Sequence, residues 1–225
     1  MKKEDMTIEA LFDTDKTMAK DYLARYTWPW EVIPQIGQIV KELGEQLAGE
    51  EYEKRGEDVW IHKTARIAPT AEIEGPVILG RDVEVRPGAF IRGNVLVGEG
   101  SVVGNSTELK NVVIFDQVQV PHYNYVGDSI LGFKSHMGAA SLTSNVKSDK
   151  TLVKVHAEDG DVETGLKKFG AAIGDYVEVG CGSVLNPGTI VGSRSNIYPL
   201  SSVRGCVNGN SIYKREGVVV EKEAR

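Results

Sequence analysis

From Ile61 onward the chain carries an aliphatic residue every six positions. Ile61, Ile67, Ile73, Leu79, Val85, Ile91, Val97, Val103 and Leu109 keep one unbroken phase. The phase slips, resumes at Leu131, Met137 and Thr143, and then runs through Ile173, Val179, Leu185, Val191, Ile197 and Val203. Small or β-branched residues stand two positions before most of these, including Ala65, Ala71, Val77, Val83 and Ala89. A period of six smears residues around a helix of 3.6 residues per turn, so a helix is excluded. Short strands joined by turns put the same position inward each time, and the glycines of Leu79-Gly80, Val97-Gly98 and Ile173-Gly174 suit the bends. The pattern predicts a parallel β-helix whose aliphatic stack is buried by successive coils.

The first 55 residues differ. They hold three of the chain's 25 glycines, and Ile33, Ile36, Ile39, Val40, Leu43 and Leu47 recur at helical spacing. An amphipathic helix over roughly 32–48 is expected, with Pro34 in its first turn and a shorter helix around 15–25. Its apolar face needs cover from the rest of the chain or from a neighbouring subunit. The chain divides into an N-terminal helical segment (1–55), the β-helix (56–215) and a C-terminal tail (216–225). Residues 144–170 contain no hexad, and structureless stretches of that length are uncommon and often functional. They carry Lys147, Lys150, Lys154, Lys167 and Lys168, while Thr151–Val155 alternates before the turn signal Asp159-Gly160. A hairpin protruding from the solenoid toward another subunit is expected.

Composition narrows the function. With 225 residues, 41% hydrophobic and 26% charged, the chain is globular, and a net charge of -6 gives no broad field for nucleic acid. The N-terminus MKKEDMTIEA has no following apolar stretch, and no run suggests a membrane span, so a cytoplasmic protein is expected. Cys181 and Cys206 show no metal-binding spacing and are expected as small packing residues.

Polar residues cluster where the phase slips: GNSTELK at 104–110, PHYNYVGDS at 121–129 and MGAASLTSN at 137–145. With KKFGAAIGDYVEVG at 167–180, these motifs closely resemble the hexapeptide-repeat acyltransferases, above all the acetyltransferase half of bifunctional glucosamine-1-phosphate acetyltransferase/N-acetylglucosamine-1-phosphate uridyltransferases. The resemblance covers about 61–215. It implies a left-handed β-helix, a homotrimer with sites between subunits, and acetyl-CoA-dependent N-acetylation of an amino-sugar phosphate, the chemistry that feeds UDP-N-acetylglucosamine and cell-envelope precursors.

By the same resemblance His122 is the general base, a role that imidazole suits because its unperturbed pKa of about 6.5 lets it accept and return a proton near neutrality. Arg92, Lys110, Tyr125, His136, Asn145 and Lys150 are implied in substrate binding, with Lys147 an alternative to Lys150. Gly180, Cys181, Lys214 and Arg215 are implied for acetyl-CoA. Lys110 and Glu108 could instead form a surface ion pair. Four positions depart from the family pattern: Gly93 stands where proline commonly follows the arginine, His136 replaces an asparagine, Ala140 replaces a glycine, and Cys181 replaces a serine. No LxxGxGTR signature occurs, so uridyl transfer is not expected, and acetyl transfer requires no metal. Two rival readings are a noncatalytic sugar-nucleotide-binding or assembly module and a γ-class carbonic anhydrase; His62, His122, His136 and His156 lack the HxxxxH spacing of the latter.

Overall fold

In the computed structural model, which describes residues 1–49, 51–215 and 217–223, the hexads wind into a left-handed parallel β-helix with three faces. Face one stacks Val59–His62, Val77–Leu79, Val95–Val97, the end of Glu108–Ile114, the end of Tyr125–Leu131, Ala171–Ile173, Thr189–Val191 and Cys206–Val207. Face two runs from Arg66–Ile67 to Ser211–Arg215, and face three from Glu72–Glu74 to Ser202–Val203. Leu79, Ile91, Val97, Val103, Leu109, Leu131, Ile173, Leu185 and Val191 are wholly buried, as the six-residue period requires.

The slip in phase has a local cause. Early coils are 18 residues long, so Val77 pairs with Val95. Val95 then pairs with Val112, and Val112 with Ser129, each only 17 residues on. The two-residue corner Gly93-Asn94 has contracted to one residue, first Asn111 (φ 53°) and then Asp128 (φ 48°). Asparagine and aspartate tolerate this left-handed backbone better than other non-glycine residues.

The N-terminal segment lies along the outside of face one. It contains α1 (Ile8–Leu11), α2 (Lys20–Leu23), α3 (Pro29–Val32) and α4 (Ile36–Leu47). The helix expected at 32–48 thus begins at Ile36, because Pro34 sits in a 3-10 turn at Ile33–Gln35. The cover for its apolar face comes from its own chain. Outward residues of face one, Trp60, Ile78, Leu96, Val113, Ile130, Ala172 and Ile190, are fully buried beneath the segment and the hexad coils. Gly44 is required by this packing, since a methyl group there would collide with the Trp60 ring. Farther along, Asp116 donates its N–H to the Lys16 carbonyl at 3.0 Å, and Asp175 donates to Leu11 at 3.2 Å.

Residues 144–170 do contain a hairpin, Lys154–Ala157 against Gly160–Glu163. Instead of protruding, it folds back on its own solenoid, because Val153, Val155 and Phe169 bury their side chains completely. Its turn reaches the N-terminal segment, where the Glu158 N–H donates to the Met1 carbonyl at 3.0 Å and the Lys3 N–H to Asp159 Oδ1 at 3.2 Å. Of the expected C-terminal tail, Val218–Glu221 returns as an antiparallel strand on Ser211–Arg215, while 216, 224 and 225 lie outside the described residues. Cys206 is partly buried against Met6, whereas Cys181 is exposed and does not fill the core.

Candidate functional site

The corner between faces two and three forms a ridge. Its backbone ladder runs from Asn105 O to Tyr123 N (2.8 Å), His122 O to Ala140 N (2.9 Å), Ala139 O to Gly182 N (2.8 Å) and Cys181 O to Leu200 N (2.9 Å). His122, Ala139, Cys181 and Pro199 therefore occupy the same place in successive coils. Coils stack about 4.8 Å apart, which puts His122 and Cys181 on one line about 10 Å long. Tyr198 hydrogen-bonds to the Tyr213 carbonyl at 2.9 Å, so exposed Lys214 and Arg215 prolong the ridge at its C-terminal end. The base and the cofactor residues implied by the sequence thus share one edge.

His122 is exposed, and among the described residues its ring has no hydrogen-bond partner. Its backbone is held by Asn124, whose Oδ1 accepts the His122 N–H at 3.0 Å. The Asn124 amide, 2% exposed, donates to the carbonyls of Gly138 (2.8 Å) and Ser141 (2.9 Å). Sequence reasoning missed Asn124; its signal was a polar residue at the first inward position after a corner, where a serine or alanine usually stands. Tyr123, at φ 52°, forms the tip and is strongly exposed.

Face three begins just past this corner. Outward from it stand Arg92, Glu108, Lys110 and Tyr125, because Glu108 pairs with both Phe90 and Tyr125 in register. Arg92 donates to Glu108 at 2.7 Å, so Glu108 pairs with Arg92 and not with Lys110. Gly93 adopts φ 74°, a value closed to the proline of related sequences. The Tyr125 phenol accepts a hydrogen bond from Asn145 Nδ2 at 3.2 Å. Burial, then the carboxylates of Asp128 and Glu108, hold that phenol above its ordinary pKa. Arg92, Lys110, Tyr125 and Asn145 are thereby brought to one face beside His122.

Two expected residues lie elsewhere in the chain. His136 opens its face-two strand, opposite Gln119, at the far end from the His122 corner. Its Nδ1 contacts Glu178 at 2.8 Å beside an open cavity lined by Glu99, Gln119 and Lys134. Lys150 is exposed at φ 58°, while Lys147 is tied to Thr151 at 2.6 Å and lines a separate cavity of about 380 Å³ with Lys154, His156 and Arg204. Among the described residues no three His, Cys, Asp or Glu side chains gather as metal ligands; His62 is buried against Thr64 and His156 contacts Asp161.

The sequence matches known proteins over most of its length. The GMPPB C-terminal domain family matches residues 73–186. The bifunctional protein GlmU of Methanococcus aeolicus is 32% identical over 216 residues, 88% of this chain and 48% of that protein. The uncharacterized acetyltransferase YaiX of Escherichia coli strain K12 is 30% identical, covering 71% of this chain and 70% of its own. The chain spans about half the length of the GlmU proteins it matches. Among solved structures, a hexapeptide transferase family protein from Anaplasma phagocytophilum aligns with a TM-score of 0.42 at 17% identity, over 74% of this chain and 80% of that one. The acetyltransferase domain of PglB from Neisseria gonorrhoeae, in complex with acetyl coenzyme A, aligns with a TM-score of 0.39 at 18% identity, over 78% and 60%.

Proposed function

We propose that this chain, which belongs to the hexapeptide-repeat acetyltransferase family, transfers the acetyl group of acetyl-CoA to the amine of an amino-sugar phosphate, as a homotrimer. The observation that carries this reading is the ridge: an exposed imidazole at His122, unpartnered among the described residues, in line with Gly180 and Cys181 and next to a face bearing Arg92, Lys110 and Tyr125.

An ammonium group has no lone pair to attack with. The ammonium form of the acceptor first gives one proton to solvent, and His122 takes a second from the neutral amine as its nitrogen bonds to the thioester carbonyl carbon. The tetrahedral intermediate collapses, the carbon–sulfur bond breaks, and the imidazolium returns the proton to the departing thiolate of CoA. Lys110 and Tyr125 hold the sugar phosphate. Arg92 shares that task with the donors that Glu108 leaves free, since a guanidinium has five N–H groups. Glycines and small side chains along Gly180–Gly182 leave the ridge open for the pantetheine arm, and Lys214 and Arg215 stand where its nucleotide phosphates would lie. Lys150 and His136 would complete the acceptor pocket from a neighbouring subunit, because in their own subunit they lie away from His122.

The engagement of Arg92 by Glu108 favours a second reading, a noncatalytic module that binds a sugar nucleotide without acetylating it. Thiol release from acetyl-CoA, measured against a panel of amino sugars, their 1-phosphates and their nucleotides, separates the two. Release with a phosphorylated amino sugar is expected; binding of a sugar nucleotide with no release from any acceptor would establish the second reading.

A further inference from the structure

The corner residue Asp128 is 4% exposed, yet it carries a carboxylate. Its two oxygens each receive an amide N–H: Oδ1 from Asn111 Nδ2 at 2.8 Å and Oδ2 from Asn145 Nδ2. Both amides have a second commitment. Asn111 Nδ2 also donates to the Ile33 carbonyl, at 3.1 Å, in the N-terminal segment. Asn145 Nδ2 also donates to the Tyr125 hydroxyl oxygen.

The orientation of these amides follows from chemistry. A carboxylate and a carbonyl only accept, so each asparagine must turn its NH2 end toward Asp128. With that end fixed, the remaining Asn145 N–H points at the Tyr125 oxygen. The phenol is then the acceptor in that contact, and its own hydrogen is left over. Among the described residues nothing takes that hydrogen. It belongs to the open face where Arg92 and Lys110 also stand.

We propose that Asp128 is a positioning residue: through Asn145 it fixes Tyr125 as a hydrogen-bond donor aimed at an anionic oxygen of the acceptor, and through Asn111 it anchors that arrangement to the N-terminal segment. This rests on the reading of face three as the acceptor site. The raised pKa of Tyr125 agrees with it, since a phenol that stays protonated keeps its hydrogen to give. Asp128 touches no substrate in this scheme. It decides which way two amides face, and they decide which way one hydroxyl faces. The same corner is one residue shorter than Gly93-Asn94, and its carboxylate lies between Asn111 and Asn145.

Two measurements on the intact protein test this. The first needs no activity: in ¹⁵N spectra the side-chain NH2 groups of Asn111 and Asn145 should each give two inequivalent resonances that exchange slowly with solvent. Asp128→Asn, which keeps the corner's backbone preference, should speed that exchange by about tenfold or more, as expected when a charged hydrogen bond is lost. Free exchange of both amides in the unmodified protein would overturn the proposal. If Asp128→Asn does not fold, Tyr125→Phe should speed exchange at Asn145 and leave Asn111 unchanged; no change at Asn145 would equally overturn it. The second is kinetic: Asp128→Asn and Tyr125→Phe should each raise KM for a phosphorylated acceptor about tenfold, more than they lower kcat, and the double variant should be no worse than either alone. Multiplying penalties would refute the coupling. Absence of acetyl transfer with every acceptor would refute the functional reading while the amide exchange still decides the role of Asp128.

Discussion

Face one and face three are built on the same inward code of stacked aliphatic residues, and they differ in what stands outward. Along face one the outward positions read Trp60, Ile78, Leu96, Val113, Ile130, Ala172 and Ile190, all buried. Along face three they include Arg92, Glu108, Lys110 and Tyr125, exposed or half-exposed. The inward half of each hexad makes the solenoid, and the outward half assigns each face a task. Face one is a second core shared with the N-terminal segment; the named residues of face three stay open to solvent.

The sharpest way to break this division is at the corner. Replacing His122 by alanine should reduce kcat by about 10²–10⁴-fold, the usual contribution of a positioned base, with little change in melting temperature because the ring is exposed and, among the described residues, unpartnered. Steady-state rates at the pH optimum check it. Near-normal turnover would dismiss His122 as the base and turn attention to His136.

On the covered face the order of effects should reverse. Leu96 is fully buried between the sheet and α4, so Leu96→Ala should cost about 2–5 kcal/mol by lost contacts and a cavity. Leu142, outward on face three and only partly buried, should cost less than half as much when made alanine. Urea denaturation of both variants measures the contrast. Equal losses would mean that the N-terminal segment adds no core.

This contrast was already visible in the sequence, though not in the six-residue period. Val77-Ile78-Leu79 and Val95-Leu96-Val97 are apolar at three successive positions, which marks a strand buried on both sides. The period alone reports one residue in six and is blind to the middle one. The solenoid itself was legible because its signal recurs every turn. The coil shortening was not, because Asn111 and Asp128 each look like an ordinary turn former until pairing shows a residue missing. For the same reason the motifs pointed to His122, Tyr125 and Asn145, while Asn124, Asn111 and Asp128, which hold them, went unmarked. Buried polar partners have no periodicity. The folding back of residues 144–170 was hidden because Val153 and Val155 match a free hairpin as well as a docked one.

A smaller effect is expected from the binding groups of face three. If Arg92 and Lys110 hold phosphate in the ground state, alanine at either should raise acceptor KM by about tenfold while kcat changes less. Glu108→Gln releases the Arg92 guanidinium from its 2.7 Å ion pair and should lower KM for phosphorylated acceptors, with no gain for neutral amino sugars. A rise in KM with Glu108→Gln would show that the carboxylate itself holds the acceptor.

The smallest effect concerns the rim where the N-terminal segment meets the solenoid. Asp116 lies half-buried at a corner, takes the Glu99 N–H on Oδ1 at 2.8 Å, and gives its own N–H to Lys16. Burial, reinforced by the nearby Glu99 carboxylate, pushes its pKa up to about 6 from 3.8. The folded protein therefore holds a proton between about pH 4 and 6 that the unfolded chain has released, and stability falls as pH rises through that window. Above pH 6 the folded state carries the full cost of the buried charge. A shift of this size corresponds at most to about 3 kcal/mol, and solvent screening of a half-exposed group brings it to the order of 1 kcal/mol. Asp116→Asn keeps an oxygen for the Glu99 N–H and removes the charge, so it should stabilise the protein at pH 7.5 and leave it nearly unchanged at pH 4. Denaturation at those two pH values decides the matter: if the wild type and the variant keep the same stability difference at both, Asp116 has no part in the pH dependence.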